Sequence, residues 1–210
     1  MDSHASLTTG SVDPRFVQLR ERLRERPGRA LHLPGLELRD AAVLAPFLVR
    51  DGEARLLFTV RPEHLRRHGG QISFPGGARD PDDATPLHTA LREVREELGV
   101  PESAVNVLGS LDEIPTTSEF RVVPFVGVLE AGVPLVPDEG EIAELLEVPV
   151  AALLDPVVQR TERRIWKGEE RDVHFYDVGR HTIWGATARI VKDLLARLVD
   201  LPAWRAPSPA

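Results

Sequence analysis

Apolar residues fall in two apolar or alternating runs at 41–49 and 54–61, separated by Arg50, Asp51, Gly52 and Glu53. Asp-Gly between such runs predicts an antiparallel hairpin that opens the main domain. Ahead of it, Asp13-Pro14 followed by Phe16, Leu19 and Leu23 reads as a short amphipathic helix, a peripheral element. Thr85 with Pro86 supplies an N-cap and a first-turn proline, and Gly99 a left-handed stop, so a helix is expected over 86–98. Leu87, Leu91, Val94 and Leu98 form its buried stripe at about 100° per residue. Further strands are read at 105–108 and 120–129, with Pro124 marking an edge or a bulge. Residues 148–154 read as a strand end entering a short helix, and 163–166 with 173–178 as a hairpin around Lys167-Gly168. A last helix over about 186–199 presents Ile190, Leu194 and Leu198 on one side.

These elements predict an α/β fold of the mixed kind, with helices layered around a mixed sheet. The expected division is an N-terminal extension with a short helix (1–35), the main domain (36–200) and a flexible C-terminal tail (201–210). No internal repeat, dinucleotide fingerprint, Walker loop or H-E-x-x-H is present.

A length of 210 residues favours one domain with short extensions, and 42% apolar with 28% charged residues is a balance of soluble globular proteins. No apolar run approaches the roughly 20 residues that span a bilayer, and the first ten residues lack a secretory pattern. The expectation is a cytoplasmic protein without membrane association. With no cysteine, any metal must sit on oxygen or imidazole. The net charge of −7 argues against nonspecific nucleic-acid binding, though a local basic island can still hold a small anionic substrate. Oligomeric state, monomer or homodimer, stays open.

On the helix over 86–98, Glu93, Glu96 and Glu97 share a second face, since residues three or four apart are neighbours on a helix surface. Glu93 and Glu97 repel at i,i+4 by roughly 0.2–0.5 kcal/mol, and the helix dipole disfavours acids in the last turn. A divalent cation would reverse both penalties, and oxygen-only ligands suit Mg²⁺ or Mn²⁺. The competing reading is a solvated helix face with Arg92 and Arg95 as ordinary ion-pair partners. Just upstream, Arg61, His64, Arg66, Arg67 and His68 make a basic island, and arginine binds phosphate in bidentate geometry. Each of these could equally pair with nearby acids.

The stretch Arg92-Glu93-Val94-Arg95-Glu96-Glu97-Leu98-Gly99-Val100 resembles the second half of the Nudix box, R-E-U-x-E-E-x-G-U with U apolar, at every defined position. The usual first half separates a glycine and a glutamate by five residues and sets seven more before the arginine. Here Asp83 follows Gly77, and eight residues rather than seven separate it from Arg92. Upstream, Leu57, Thr59, Arg61, Arg66, Gly70 and Phe74-Pro75-Gly76-Gly77 resemble the signature of the coenzyme A diphosphatase branch, with Phe58 and Pro62 as departures. Leu111-Asp112-Glu113, Thr117-Ser118, Phe120 and Ile183-Trp184-Gly185-Ala186-Thr187-Ala188 also look like that branch.

The resemblance implies a Nudix-like α/β/α sandwich with a loop-helix-loop metal site. Glu93, Glu96 and Glu97 would be the Mg²⁺ or Mn²⁺ ligands. Glu93 and Glu97 are the surest pair, and Glu96 either binds a second ion or orients a water. Glu93 and Glu96 are the candidate bases, and the segment holding Glu139, Glu141 and Glu144 could bring in another carboxylate. Arg92 either orients a glutamate or forms a plain salt bridge. Arg61, Arg66, Gly70, Gly76 and Gly77 would contact a small-molecule nucleotide substrate, with coenzyme A first. The alternatives are ADP-ribose, dinucleotides or nucleoside triphosphates, and a binding module without turnover. His174 and His181 read as packing or surface residues, and Trp184 as a core residue rather than a base-stacking one.

Overall fold

The structure is a computed structural model that describes residues 13–35, 37–63, 69–166 and 169–204. Its elements, in chain order, are α1 (Pro14–Glu25), β1 (Arg39–Arg50), β2 (Glu53–Val60), β3 (Ile72–Ser73), β4 (Gly76–Ala78), α2 (Pro86–Leu98), β5 (Val105–Ser110), β6 (Ile114–Pro115), β7 (Phe120–Leu129), β8 (Glu144–Pro149), α3 (Val150–Leu154), β9 (Gln159–Trp166), β10 (Glu169–Val178), β11 (His181–Trp184) and α4 (Gly185–Leu198). A 3-10 turn at Pro202–Trp204 follows. β1 and β2 are joined by Asp51 (φ 52°) and Gly52 (φ 77°), the left-handed pair that a tight hairpin turn requires.

β1 organises the main sheet. One of its edges pairs antiparallel with β2 and β4, and the other pairs parallel with β7. β8 and β3 add to β2, and β5 and β6 add to β7, giving an eight-stranded mixed sheet. Side chains alternate across β1: Ala42, Leu44 and Leu48 join the core beneath α2, while Ala41, Ala45 and Phe47 join the core beneath α1 and α4. A strand covered on both faces reads as a continuous apolar run, which is why 41–49 shows so little alternation. A second sheet, β11-β10-β9, packs through Tyr176 and Ile183 into the α4 side. The expected α/β/α sandwich around a mixed sheet is thus the observed architecture.

Several expectations need correction. α1 is no peripheral element, because Phe16, Leu19 and Leu23 are buried in the larger core. The first part of the expected tail is packed too. Trp204 is buried with its ring 5.8 Å from Phe16 and 5.4 Å from Phe47, and its Nε1 donates to Arg15 O at 3.0 Å. Residues 205–210, like Lys167-Gly168, lie outside the described residues. Pro124 sits in an interior strand. Its carbonyl accepts from Leu111 N at 2.8 Å on the β5–β6 side of β7, where proline cannot return the reciprocal bond.

Asp112 and Glu113 act as fasteners. The side chain of Arg197, fully buried, donates to Asp112 Oδ1 (3.0 Å), Asp193 Oδ2 (3.1 Å) and Arg26 O (2.6 Å). Arg29 closes on Asp112 from outside, and Leu31 N donates to Glu113 Oε2 at 2.8 Å. The segment after α1 is thereby tied to α4 and to the β5–β6 connection.

Candidate active site

α2 begins and ends where its caps dictate: Thr85 Oγ1 accepts from His88 N at 3.2 Å, Pro86 occupies the first turn, and Gly99 closes the helix at φ 68°. Ala90, Val94 and Leu98 pack beside Ala42, Leu44 and Leu57, and Leu87 is only half-buried. That contact fixes the rotation of the helix. Glu97 lies roughly 60° from Val94 around the helix, Glu93 roughly 100° and Glu96 roughly 160°. Exposure follows the same order, with Glu97 6% exposed and the side chains of Glu93 and Glu96 at 16% and 51%. The three glutamates therefore do not share one environment. Glu93 and Glu97 turn toward the glycine loop, while Glu96 turns outward onto Arg92.

The glycine loop is pressed between β1 and α2. Gly76 has φ 153°, and a Cβ there would stand 2.6 Å from Val43 Cα. A Cβ on Gly77 would stand 2.6 Å from Glu93 Cδ and nearer still to its Oε1. Pro75 O accepts from Leu44 N at 3.0 Å, and buried Phe74 stacks on Phe58 with centroids 4.6 Å apart. The Phe-Pro-Gly-Gly turn needs glycine twice for different reasons, Gly76 against the β1 backbone and Gly77 against the Glu93 carboxylate.

Burial pushes the Glu97 carboxyl up to about 8, and the charges of Glu93 and Glu141 push it the same way. The Gly76 backbone N–H and the Arg61 charge oppose that rise. Glu97 Oε2 is buried without a hydrogen-bond partner among the described residues. Glu93 is raised too, chiefly by burial, against the pull of Arg92. Arg61 Nη2 lies 3.9 Å from Glu141 Oε2, so the predicted extra carboxylate Glu141 does approach this corner together with Arg61.

Among the described residues, no three His, Asp or Glu side chains stand in a geometry that holds a metal ion. A formed loop-helix-loop metal site is therefore not found, and the physical reason is visible. Arg92 draws Glu96 outward (Nη1 to Oε2, 2.8 Å) and Arg61 stands beside Glu141, leaving Glu93 and Glu97 as two desolvated carboxyl groups one turn apart. The residues present nonetheless fit a divalent cation. Two carboxylates one turn apart, one with an orphaned buried oxygen, are the donors whose cost a cation offsets.

Asp83 is where the altered first half of the motif finds its role. It is 7% exposed and accepts from Arg92 Nε (3.2 Å), Arg92 Nη2 (3.1 Å) and Asp80 N (2.9 Å). The Arg92 hydrogen bond holds its carboxyl down at about 2. Arg92 also donates to Ala78 O (3.1 Å) and lies 2.9 Å from Glu93 Oε1, so one guanidinium joins the loop, Glu93 and Glu96. Arg79, which the sequence did not single out, closes the same loop by donating to Asp83 O at 2.9 Å.

Other candidates separate from this corner. Glu144 lies opposite Val60 on the α4 side of β2 and β8, bonded to Arg180 (2.7 Å) and His181 (3.2 Å). Glu139 is exposed. His174 bridges Thr161 and Lys192, both at 2.9 Å. Gly70, at φ 71°, donates to Arg61 O while Arg61 N donates to Gln71 O, both at 3.0 Å, closing the loop that begins at Arg61. His64, Arg66, Arg67 and His68 lie outside the described residues. Trp184 is 44% exposed, so its expected place in the core is wrong.

Comparison with known proteins agrees with the geometry. The family model for the NUDIX domain matches residues 38–167. A Nudix hydrolase named NudL from Yersinia pestis (strain Pestoides F) is 36% identical over 193 residues, covering 90% of this chain and 96% of the relative. NudL of Yersinia pseudotuberculosis serotype O:1b matches equally. Among solved structures, a MutT/nudix family protein from Enterococcus faecalis shares the fold, with a TM-score of 0.51 and 18% identity over 81% of this chain and 66% of that one. By motif, architecture and relatives alike, the chain belongs to the Nudix hydrolase family.

Proposed function

We propose that this Nudix hydrolase, with Mg²⁺ or Mn²⁺, cleaves the diphosphate linkage of coenzyme A or a derivative. The products would be adenosine 3′,5′-bisphosphate and 4′-phosphopantetheine, or its acyl form. The observation that carries the metal-dependent hydrolysis is the buried, unpartnered Glu97 Oε2 beside Glu93, against a loop whose glycines leave room for nothing larger. A cation held by Glu93 and Glu97 would neutralise diphosphate oxygens and supply a water of lowered pKa.

The chain's own residues have distinct tasks in this reading. Gly77 keeps room for the Glu93 carboxylate, and Arg92 sets the rotamers of Glu93 and Glu96 through its bonds to both. Glu93 or Glu96 accepts the proton of the attacking water. The water oxygen bonds to phosphorus, the P–O anhydride bond breaks, and the leaving phosphate departs with the electron pair. Arg61, with its Nε buried and unpaired among the described residues, brings positive charge to bear on Glu97.

Coenzyme A is supported by the flanking signature, whose described residues behave as one unit. Thr59 Oγ1 lies 3.1 Å from Ser73 Oγ, Arg61 closes on Gln71 and Gly70, and Phe74 stacks on Phe58. Family membership alone favours the wider reading, in which ADP-ribose, a dinucleotide or a nucleoside triphosphate is the substrate. Chromatographic product analysis on a panel of these compounds separates the two. Rapid cleavage of ADP-ribose beside intact coenzyme A removes the narrower reading. No helix of the described residues is long and apolar enough to cross a membrane.

A further inference from the structure

Trp184, at the end of β11, is an exposed aromatic side chain. Strand register puts Trp184 opposite Phe175 and Phe175 opposite Arg160, so the three form a row across β11, β10 and β9. Neighbours along a strand face opposite ways, and Ile183 and Tyr176 take the core side. The row therefore lies on the outer face. Its middle member is already covered: Phe175 is 4% exposed, with the guanidinium of Arg160 4.0 Å and that of Arg164 5.2 Å from its ring centroid. The indole lies nearly parallel to Phe175, with an interplanar angle of 15° and centroids 6.5 Å apart, and 44% of it is open to solvent. An indole flanked by a packed aromatic and open to solvent is a surface on which a flat ring can stack.

Two further observations connect this surface with the active-site loop. Gly185, directly after Trp184, is at φ 69° and a Cβ there would meet nothing within 4 Å, so no side chain crowds the indole from that position. Thr187 Oγ1, buried, donates to Ile72 O at 3.0 Å, pinning the start of α4 to β3. β3 leads within four residues to Gly76, a stretch of chain that spans at most about 14 Å.

We propose that the exposed face of Trp184 receives the nucleobase of the substrate, a purine ring in preference to a pyrimidine because the bicyclic ring covers more of the indole. The inference rests on the reading of the substrate as a nucleotide-containing diphosphate. Arg160 and Arg164 are engaged by Asp177 and Glu162, so the platform selects a ring and leaves the phosphates to the carboxylate corner.

The test uses the full chain and calorimetric titration with adenosine 3′,5′-bisphosphate and, separately, inorganic pyrophosphate, beside steady-state kinetics on a cleaved nucleotide diphosphate. Trp184→Ala is expected to weaken adenosine bisphosphate binding and raise KM about tenfold, with kcat and pyrophosphate binding within about twofold. Trp184→Phe, which keeps a stacking ring and guards against misfolding of the alanine variant, is expected to retain most of the affinity. Unchanged binding and KM in both variants overturn the inference while leaving the hydrolase reading in place. A shift in sedimentation without loss of nucleotide affinity also overturns it, assigning the face to a second copy of the chain. Base binding that needs Trp184 in a protein that cleaves no diphosphate keeps the inference and removes the hydrolase reading.

Discussion

Arg92 grips Asp83 with two nitrogens, Nε at 3.2 Å and Nη2 at 3.1 Å, and the carboxylate so held is 7% exposed. Removing one partner of a buried pair leaves the other uncompensated. Asp83→Ala is expected to cost about 2–4 kcal/mol in denaturant unfolding and to release Arg92 from its position beside Glu93. Because the Asp83 carboxyl is depressed to about 2, its contribution is complete above the unfolded value near 4 and fades as pH falls through about 2. The stability gap between the wild type and Asp83→Asn should narrow over that window. A gap that stays constant down to pH 2 contradicts the assignment.

Glu97 runs the other way. Its carboxyl is raised to about 8 in the folded protein, so between the unfolded value near 4.5 and about 8 the folded state holds the extra proton. Stability without metal therefore falls as pH rises through that range. Glu97→Gln should stabilise the metal-free protein at pH 8 by about 1–3 kcal/mol, a few degrees in Tm, while nearly abolishing turnover. A thermal melt in chelator checks the first half and a rate assay the second.

The two glycines are expected to fail differently. Gly76→Ala forces a Cβ against the β1 backbone at an unfavourable φ, so it should lower Tm and activity together. Gly77→Ala meets a side chain instead, the Glu93 carboxylate, which can swing away. It should cost less than about 1.5 kcal/mol of stability but at least tenfold in kcat, because Glu93 is displaced. Equal effects on stability in both variants contradict this account of the loop.

Arg197→Ala leaves Asp112 and Asp193 without their shared buried cation, and is expected to destabilise by about 3–5 kcal/mol. Hydrogen exchange should then rise first in residues 26–31, which the network fastens. Activity per folded molecule should change little, since Arg197 touches none of the carboxylates beside Gly76 and Gly77.

How much of this could be read from the sequence depends on the range of the interaction. Thr85, Pro86 and Gly99 bracket α2 through local capping, and Asp51-Gly52 makes its turn within two residues, so both were legible. Glu93 and Glu97 were legible as a pair because one helical turn places them together. The outward turn of Glu96 was not, since it follows from Ala90 and Val94, rather than Leu87, meeting β1. Asp83 carries a role that spacing obscured, because the partnership with Arg92 closes through a loop that Arg79 also holds. α1 and Trp204 looked like periphery for a related reason, as Phe16, Phe47 and Trp204 meet only in three dimensions. Trp184 reads as a core residue because large aromatics usually pack, whereas alternation along β11, with Ile183 inward, turns it outward.

Incubation of the purified chain with coenzyme A and Mg²⁺ or Mn²⁺, beside the Glu97→Gln variant and a chelator control, tests the central claim most directly. The account predicts adenosine 3′,5′-bisphosphate and 4′-phosphopantetheine in equal amounts, a rate at least about a hundredfold lower in the variant, and none with chelator. No cleavage of coenzyme A or of any other diphosphate by the metal-supplied wild type, or full activity in Glu97→Gln, contradicts it.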